Sequence, residues 1–308
     1  MSLTYLKSVF NSFQSMKSIS VQLLRIKNLS GGTNYFTRQI EIKPEEELFD
    51  YITAICGKYS SDKFLDSIGA LDDYQGDILK DNIYKLSVGN ELIRENYEKL
   101  EAAIADPSVE NEVIKNEWNA LLIKGVILLG NKQEDIRLIS MKSPLSVLSN
   151  RFIGCGQDTF KKLRDPVLTL NKNLDAIIVN NVFYMLTMQA ENLFNMERSY
   201  KLLCDTKVEE LIQYDLFSNP DIFLEIATKG QNPRRFVSFN QSRADVLHEY
   251  ENRVKYLPMF RIALKPDGKI DTEDVKSSER LIKFLCNKAM MDPVKDEPQE
   301  VAGAKALL

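Results

Sequence analysis

The sequence predicts an α+β protein: a largely antiparallel sheet built from hairpins in the first two thirds, helices packed on it, and a mainly helical C-terminal part. Three observations carry this. β-prone runs come in neighbouring pairs joined by Gly-Gly, Gly-Asn or Asn-Asn, helical spacing dominates after Met188, and strands and helices do not alternate as a parallel β-α order requires.

A first helix is expected over Leu3 to Met16. The runs "SVQLLRIKN" and "NYFTRQIEI" flank "LSGGT" and read as a hairpin. Pro44 at a first helical position, followed by Glu45, Glu46 and Glu47, suits the positive end of a helix dipole, and Leu48, Ile52 and Ile55 supply a stripe to bury. "NELIRENYEKLEAAIADP" is a further helix, closed by Pro107. From Asn119 the pattern becomes strand-like: "ALLIKGVILL", the turn "GNKQED", "IRLISM", then "PVLTLNK". In "DAIIVNNVFYMLT" the pair Asn180-Asn181 predicts a tight hairpin, because asparagine tolerates the positive φ such turns need. "MQAENLFNMERSYKLLCDTKVEELIQ" switches to helical spacing, and "MFRIALKPDGKID" reads as a short hairpin around Pro-Asp-Gly. The change of pattern places a division near residue 115: an acidic N-terminal α/β part over 1–115 and an α+β core over 116–308 that ends in a basic helical region.

Composition narrows the chemistry. At 308 residues, 44% hydrophobic and 27% charged, the chain is typical of soluble globular proteins. Residues 1–17 lack the apolar core of a signal peptide, and "NALLIKGVILLG" is too short and too charged to span a bilayer. A cytoplasmic protein is expected. Cys56, Cys155, Cys204 and Cys286 lie far apart and read as reduced thiols, and His248 is the single histidine, so a two-histidine metal site cannot be built in one chain. No metal or cofactor is expected. On helical spacing His248 faces away from the apolar stripe and reads as a surface residue.

Charge is segregated. Residues 1–40 carry five basic residues and no acid; residues 41–120 carry 19 acids against 8 bases; residues 229–295 carry 14 bases against 9 acids. That asymmetry is compatible with a polyanion-binding face on an acidic molecule.

Catalytic motifs give little. "FIGCGQDTF" has Gly154 and Gly156 without a third glycine and reads as a loop. Asp221, Glu225 and Lys229 lack the spacing of a nuclease core and read as one helix with a Glu225–Lys229 pair. The stronger constellation lies further on. "DTEDVKSSERLIKFLCN" opens with Asp271-x-x-Asp274, a candidate capping box, and sets Lys276, Arg280 and Lys283 within about 60° of one another on a helix. Like charges at that spacing oppose the helix by a few tenths of a kcal/mol, so the cluster asks for another use. Together with Lys265 and Lys269 beside the Pro-Asp-Gly turn, it forms a candidate phosphate-binding face, to be weighed against an ordinary solvated one. Arg25, Lys27 and Arg38 are the next candidates.

One arginine is out of place. Read as a continuous helix, Pro233 to Leu257 puts Phe236, Phe239, Val246, Leu247, Tyr250, Val254 and Leu257 on one apolar face, with Arg243 inside it. Buried, Arg243 needs a carboxylate or several carbonyls, and an interhelical ion pair is favoured; alternatively the stripe lines a groove or a subunit interface, with Arg235 and Arg253 flanking Arg243 toward an anionic partner. A helix start at Ser242 with Asp245 as its cap partner would remove Phe236 and Phe239 from the stripe.

The order of elements over residues 20–308, and above all "NLDAIIVNNVFYMLTMQAENLFNMERSYK" with "DGKIDTEDVKSSERLIKFLCNKAMMDPVKDEPQEVAGAKAL", resembles the KwaB-like family, the soluble component of Kiwa anti-phage defence systems in bacteria. Where that family's Phe-Glu is expected, this chain has Ala190-Glu191 with Phe194 one turn later. The resemblance implies a homodimeric cytoplasmic protein that binds DNA, and the leading reading is an effector without catalysis of its own. The resemblance further implies work with an integral-membrane partner of the same system at the inner membrane, against phage DNA replication and transcription. It brings no active site. A metal-dependent nuclease with an unrecognised site and a protein–protein scaffold stand as alternatives.

Overall fold

The computed structural model describes residues 2–42, 45–76, 81–107, 118–141, 153–156, 159–162, 172–292, 294–295 and 297–301. Pro44, the run from Pro166 to Asn171 and the closing segment from residue 302 lie outside them. The chain forms two compact units. The first comprises residues 1–73 and 80–195, the second residues 74–79 and 196–308.

The first unit holds an eight-stranded sheet of order β2-β1-β5-β6-β9-β10-β4-β3. Its strands are β1 (Lys17–Leu29), β2 (Gly32–Ile40), β3 (Leu71–Asp73), β4 (Ile83–Ser87), β5 (Ala120–Leu129), β6 (Lys132–Met141), β9 (Ala176–Val179) and β10 (Val182–Met185). Only the β3–β4 contact is parallel among these pairings. Strands from either side of residue 115 share this sheet, since β1 pairs with β5. The change in composition at that point therefore does not coincide with the compact units, which part near residue 195.

The strands in the middle of the sheet are apolar on both faces, as their continuous apolar runs require. Toward one face Val21, Leu23, Leu121, Ile123, Leu138, Ile177 and Tyr184 meet Leu6, Val9, Phe10, Ile52, Ile55 and Tyr59 from α1 (Leu3–Asn11) and α2 (Glu45–Tyr59). The short α3 (Asp62–Ser67) adds Leu65 to the same core. α4 (Arg94–Ala105) is tied to the β1–β2 hairpin by hydrogen bonds from Thr37 to the Ala103 carbonyl and from Gln22 to the Ile104 carbonyl. These donors take up carbonyls at a helix end that has no intrahelical partner for them. The first helix is shorter than expected; a 3-10 turn over Ser12–Ser15 carries Phe13 into the core.

Asn180 and Asn181, at φ 51° and 57°, make the turn between β9 and β10, as their sequence predicts. The Gly154–Gly156 stretch is a correction. Instead of a loop, β7 (Ile153–Gly156) and β8 (Thr159–Lys162) pair as a small separate ribbon. A second correction concerns the helix expected from Met188. Residues Met188–Phe194 form a 3-10 turn, and Asn195 at φ 49° interrupts the path before α5 (Met196–Ile212). Asparagine is among the few residues that enter this left-handed region readily, and Phe194 stays with the first unit against Phe183, their ring centroids 4.9 Å apart.

The second unit is mainly helical. After α5 come α6 (Pro220–Ala227), α7 (Asn232–Arg235), α8 (Gln241–Val246), α9 (Tyr250–Tyr256), α10 (Val275–Leu285) and the ribbon β11 (Ala289–Asp292) with β12 (Glu297–Glu300). Cys204, Val208, Phe217, Phe223, Phe236, Leu257, Leu281, Leu285 and Cys286 are in its core. The Glu225–Lys229 pair forms at the end of α6 as expected. The hairpin expected around Pro-Asp-Gly contracts to a single antiparallel bridge between Leu264 and Ile270.

Candidate nucleic-acid interface

The sequence region Pro233 to Leu257 is not one helix. It is broken at Phe236–Ser238, a 3-10 turn, and again between Val246 and Tyr250, so Phe236 and Tyr250 do not share a stripe. The cap of α8 is Asn240, whose Oδ1 accepts from the Arg243 amide at 3.2 Å; Ser242 does not start the helix.

This break gives Arg243 its task. The residues of 238–243 supply donors to three consecutive carbonyls at the end of α10. Ser238 Oγ reaches the Cys286 carbonyl at 2.6 Å, the Asn240 amide reaches Leu285 at 2.8 Å, and Arg243 Nη1 reaches Phe284 at 2.6 Å. Arg243 also donates to the Ala289 carbonyl at 3.3 Å, and its guanidinium lies 5.0 Å from the centre of the Phe284 ring. The expected carboxylate partner is absent among the described residues; carbonyls and a ring take its place. A cation suits a helix C-terminus, where the dipole is negative. Burial lowers the Arg243 pKa and raises that of the Cys286 thiol next to it.

α10 starts one residue after Asp274, whose side chain accepts from the Lys276 amide at 3.0 Å. Asp271 is not part of a capping box. Its carboxylate accepts from the Glu273 amide at 3.1 Å and pairs with Lys265 at 3.3 Å. Ser277, Ser278, Leu281, Ile282 and Leu285 turn α10 inward, which leaves Lys276, Arg280 and Lys283 on the outer side.

The candidate cations fall into two groups. Around the Pro-Asp-Gly turn, Lys265 pairs with Glu273 at 2.8 Å as well as Asp271, and Lys269 with Asp215 at 2.7 Å. The hydrogen bond to Glu273, then that to Asp271, raises the Lys265 pKa. Arg253 is spent on three carbonyls, those of Gly268 at 3.0 Å, Leu247 at 2.8 Å and His248 at 2.9 Å. Gly268 is required here. It sits at φ 80°, and a Cβ there would lie 2.2 Å from the Tyr250 ring. His248 is exposed, its ring centre 3.7 Å from that of Tyr214.

The second group is a cleft of about 190 Å³ lined by Phe260, Arg261, Arg280, Lys283, Pro298 and Glu300, among others. Arg280 donates to the Arg261 carbonyl at 2.9 Å, which ties α10 to the turn after Phe260. Glu300 accepts from Lys283 at 2.7 Å and stands 3.7 Å from Arg235, while Glu297 stands 3.7 Å from Arg261. Lys276, one turn before Arg280, is exposed and has no side-chain partner among the described residues. Arg261 was not legible in the sequence. Reading "MFRIALKPDGKID" as a hairpin places it in a strand, whereas it occupies a left-handed turn at φ 57° after the 3-10 turn Pro258–Phe260.

No group of three or more His, Cys, Asp and Glu among the described residues could hold a metal ion, and no helix among them is long and apolar enough to cross a membrane. The fold defines an α+β protein whose helical unit carries a cleft lined by Arg261, Arg280, Lys283 and Glu300. The family described as Kiwa protein KwaB-like matches residues 135–293, slightly more than half of the chain, and the chain belongs to that family. The match runs from Asp135 in β6 through β11, takes in every candidate cation except Arg25, Lys27 and Arg38, and ends before β12. No curated protein and no solved structure matches the chain.

Proposed function

We propose that this protein is a DNA-binding anti-phage effector that grips the phosphate backbone through Arg261, Arg280 and Lys283, with Lys276 and Arg235 beside them. The observation that carries the reading is the convergence of three cations from two segments on one cleft. Phosphates reward cations whatever the base sequence, so such a surface binds without a base-reading motif. Membership of the KwaB-like family supports a role in defence. In this reading the protein acts as a homodimer in the cytoplasm, is recruited to the inner membrane by an integral-membrane partner, and blocks phage DNA replication and transcription by occupancy, without cutting.

Lys265, Lys269 and Arg253 are secondary in this scheme, because carboxylates or carbonyls already satisfy them. Incubating the purified protein with a labelled duplex and Mg²⁺ or Mn²⁺ tests the proposal. Retention with the duplex intact is expected. Cutting would establish a nuclease, and neither retention nor cutting would leave a protein–protein scaffold.

A further inference from the structure

We infer that β12 is an acidic strap that walls the cationic cleft, its carboxylates holding the cations in place of a polyanion, and that it is displaced when one binds. The inference rests on the phosphate-binding reading of the cleft. Its observation is separate: the two carboxylates of β12 that touch cations, Glu297 and Glu300, engage three of them, Arg261, Lys283 and Arg235. Negative oxygens thus already sit where phosphate oxygens would have to go.

The strap is built to leave. β12 places only Pro298 partly inside, its other residues being exposed. Its ladder is a four-residue pairing with β11, extended by the Val301 amide on the Lys288 carbonyl at 3.0 Å and the Gln299–Asp292 contact at 2.8 Å. Little apolar surface therefore holds it down. The ion pairs that remain are partly exposed, with Glu300 54% and Glu297 59% accessible, and pairs of this kind are weak and screened by salt. A DNA duplex brings many phosphates to compete with two carboxylates. Arg280, bound to a carbonyl and to neither glutamate, stays available as the first contact.

The test compares wild type with E297Q/E300Q, each titrated with a short labelled duplex over a series of salt concentrations. Glutamine keeps the size of the side chain and removes the charge. Each cation released to the DNA adds about 0.9 to the slope of log K against log salt, or about eightfold in affinity per tenfold fall in salt. The double variant is expected to bind more tightly at low salt, with a slope steeper by up to about 2.7 for three freed cations. E300Q alone, which frees Lys283 and Arg235, falls between. The control E209Q/D221N removes two exposed acids of the same unit that pair with none of these cations, and is expected to bind as wild type does. Wild type and E297Q/E300Q binding with equal affinity and slope would overturn the strap while leaving DNA binding intact. An equal gain in the control would reduce the effect to net charge and overturn it too. If no protein binds even at low salt, the DNA reading itself fails, and the strap has nothing to mask.

Discussion

The guanidinium of Arg243 donates to the carbonyl of Phe284 across 2.6 Å and lies over the ring of the same residue. It is a helix stop: with Ser238 and Asn240 it satisfies the last carbonyls of α10, which a helix cannot bond by itself. That arrangement sets the orientation of the helix carrying Lys276, Arg280 and Lys283.

Arg243→Ala should therefore cost about 1–2 kcal/mol, the lower end of the range for a lost hydrogen bond from a charged donor, since the Phe284 carbonyl keeps the Asn287 amide at 3.4 Å. The loss stays below the about 3–5 kcal/mol of a broken buried ion pair, because no carboxylate is stranded. Arg243→Met keeps the apolar contact with Phe284 and should lose most of the same amount. Denaturant melts of both variants measure it, and a loss above the upper range would reveal a hidden charge partner.

Asn181 should accept glycine and resist alanine. At φ 57° a Cβ-bearing residue without a local hydrogen-bonding side chain pays about 1–2 kcal/mol, whereas glycine pays none of it. The expected order in thermal melts is Asn181→Gly near wild type, with Asn181→Ala lower by about 1 kcal/mol or more.

Asp175 ties three segments of the first unit together. Its carboxylate accepts from the Met141 amide at 2.7 Å and from the Thr187 hydroxyl. Asp175→Ala strands both donors and should cost about 2–4 kcal/mol, while Asp175→Asn should lie within about 1 kcal/mol of wild type at neutral pH. Burial raises this carboxyl above its ordinary 3.8, so the folded state holds the proton more tightly than the unfolded one. The contribution of the group is then greatest below the unfolded pKa and falls as pH rises. Wild type should gain on Asp175→Asn as the pH is lowered from 7 toward 4; melts in which it loses ground across that interval would show the sign to be wrong, and a constant gap would show no shift.

Local chemistry was legible and distant chemistry was not. The run Ala120–Leu129 announced a strand, Asn180-Asn181 the turn between β9 and β10, and Glu225–Lys229 an ion pair, because each signal is confined to a few adjacent residues. The Pro233–Leu257 helix failed for the opposite reason. Its pattern fits 3.6 residues per turn, but Ser238 and Asn240 bond to Cys286 and Leu285, and those tertiary bonds bend the chain where periodicity alone would continue it. The same holds for the charges. Lys269 meets Asp215 and Lys283 meets Glu300, partners too far along the chain for helical spacing to reveal, so a face that reads as bare cations is in large part neutralised. Arg280 lines the cleft, Lys276 is exposed one turn before it, and Arg261 joins from a turn that the hairpin reading does not contain.

Of the cations proposed to hold DNA by its phosphates, Arg280 and Lys283 line the cleft from α10 and Lys276 stands one turn before them. The most direct measurement is the affinity of wild type and K276Q/R280Q/K283Q for a short labelled duplex over a series of salt concentrations. Wild-type log K should fall linearly with log salt, and the triple variant should bind more weakly with a slope shallower by up to about 2.7, or about 0.9 for each lost contact. Its stability should fall by about 1–2 kcal/mol, since Arg280 loses its hydrogen bond to the Arg261 carbonyl and Lys283 its pair with Glu300, so binding is compared well below both melting temperatures. A flat salt response, or a folded triple variant that binds with wild-type affinity and slope, would contradict the account.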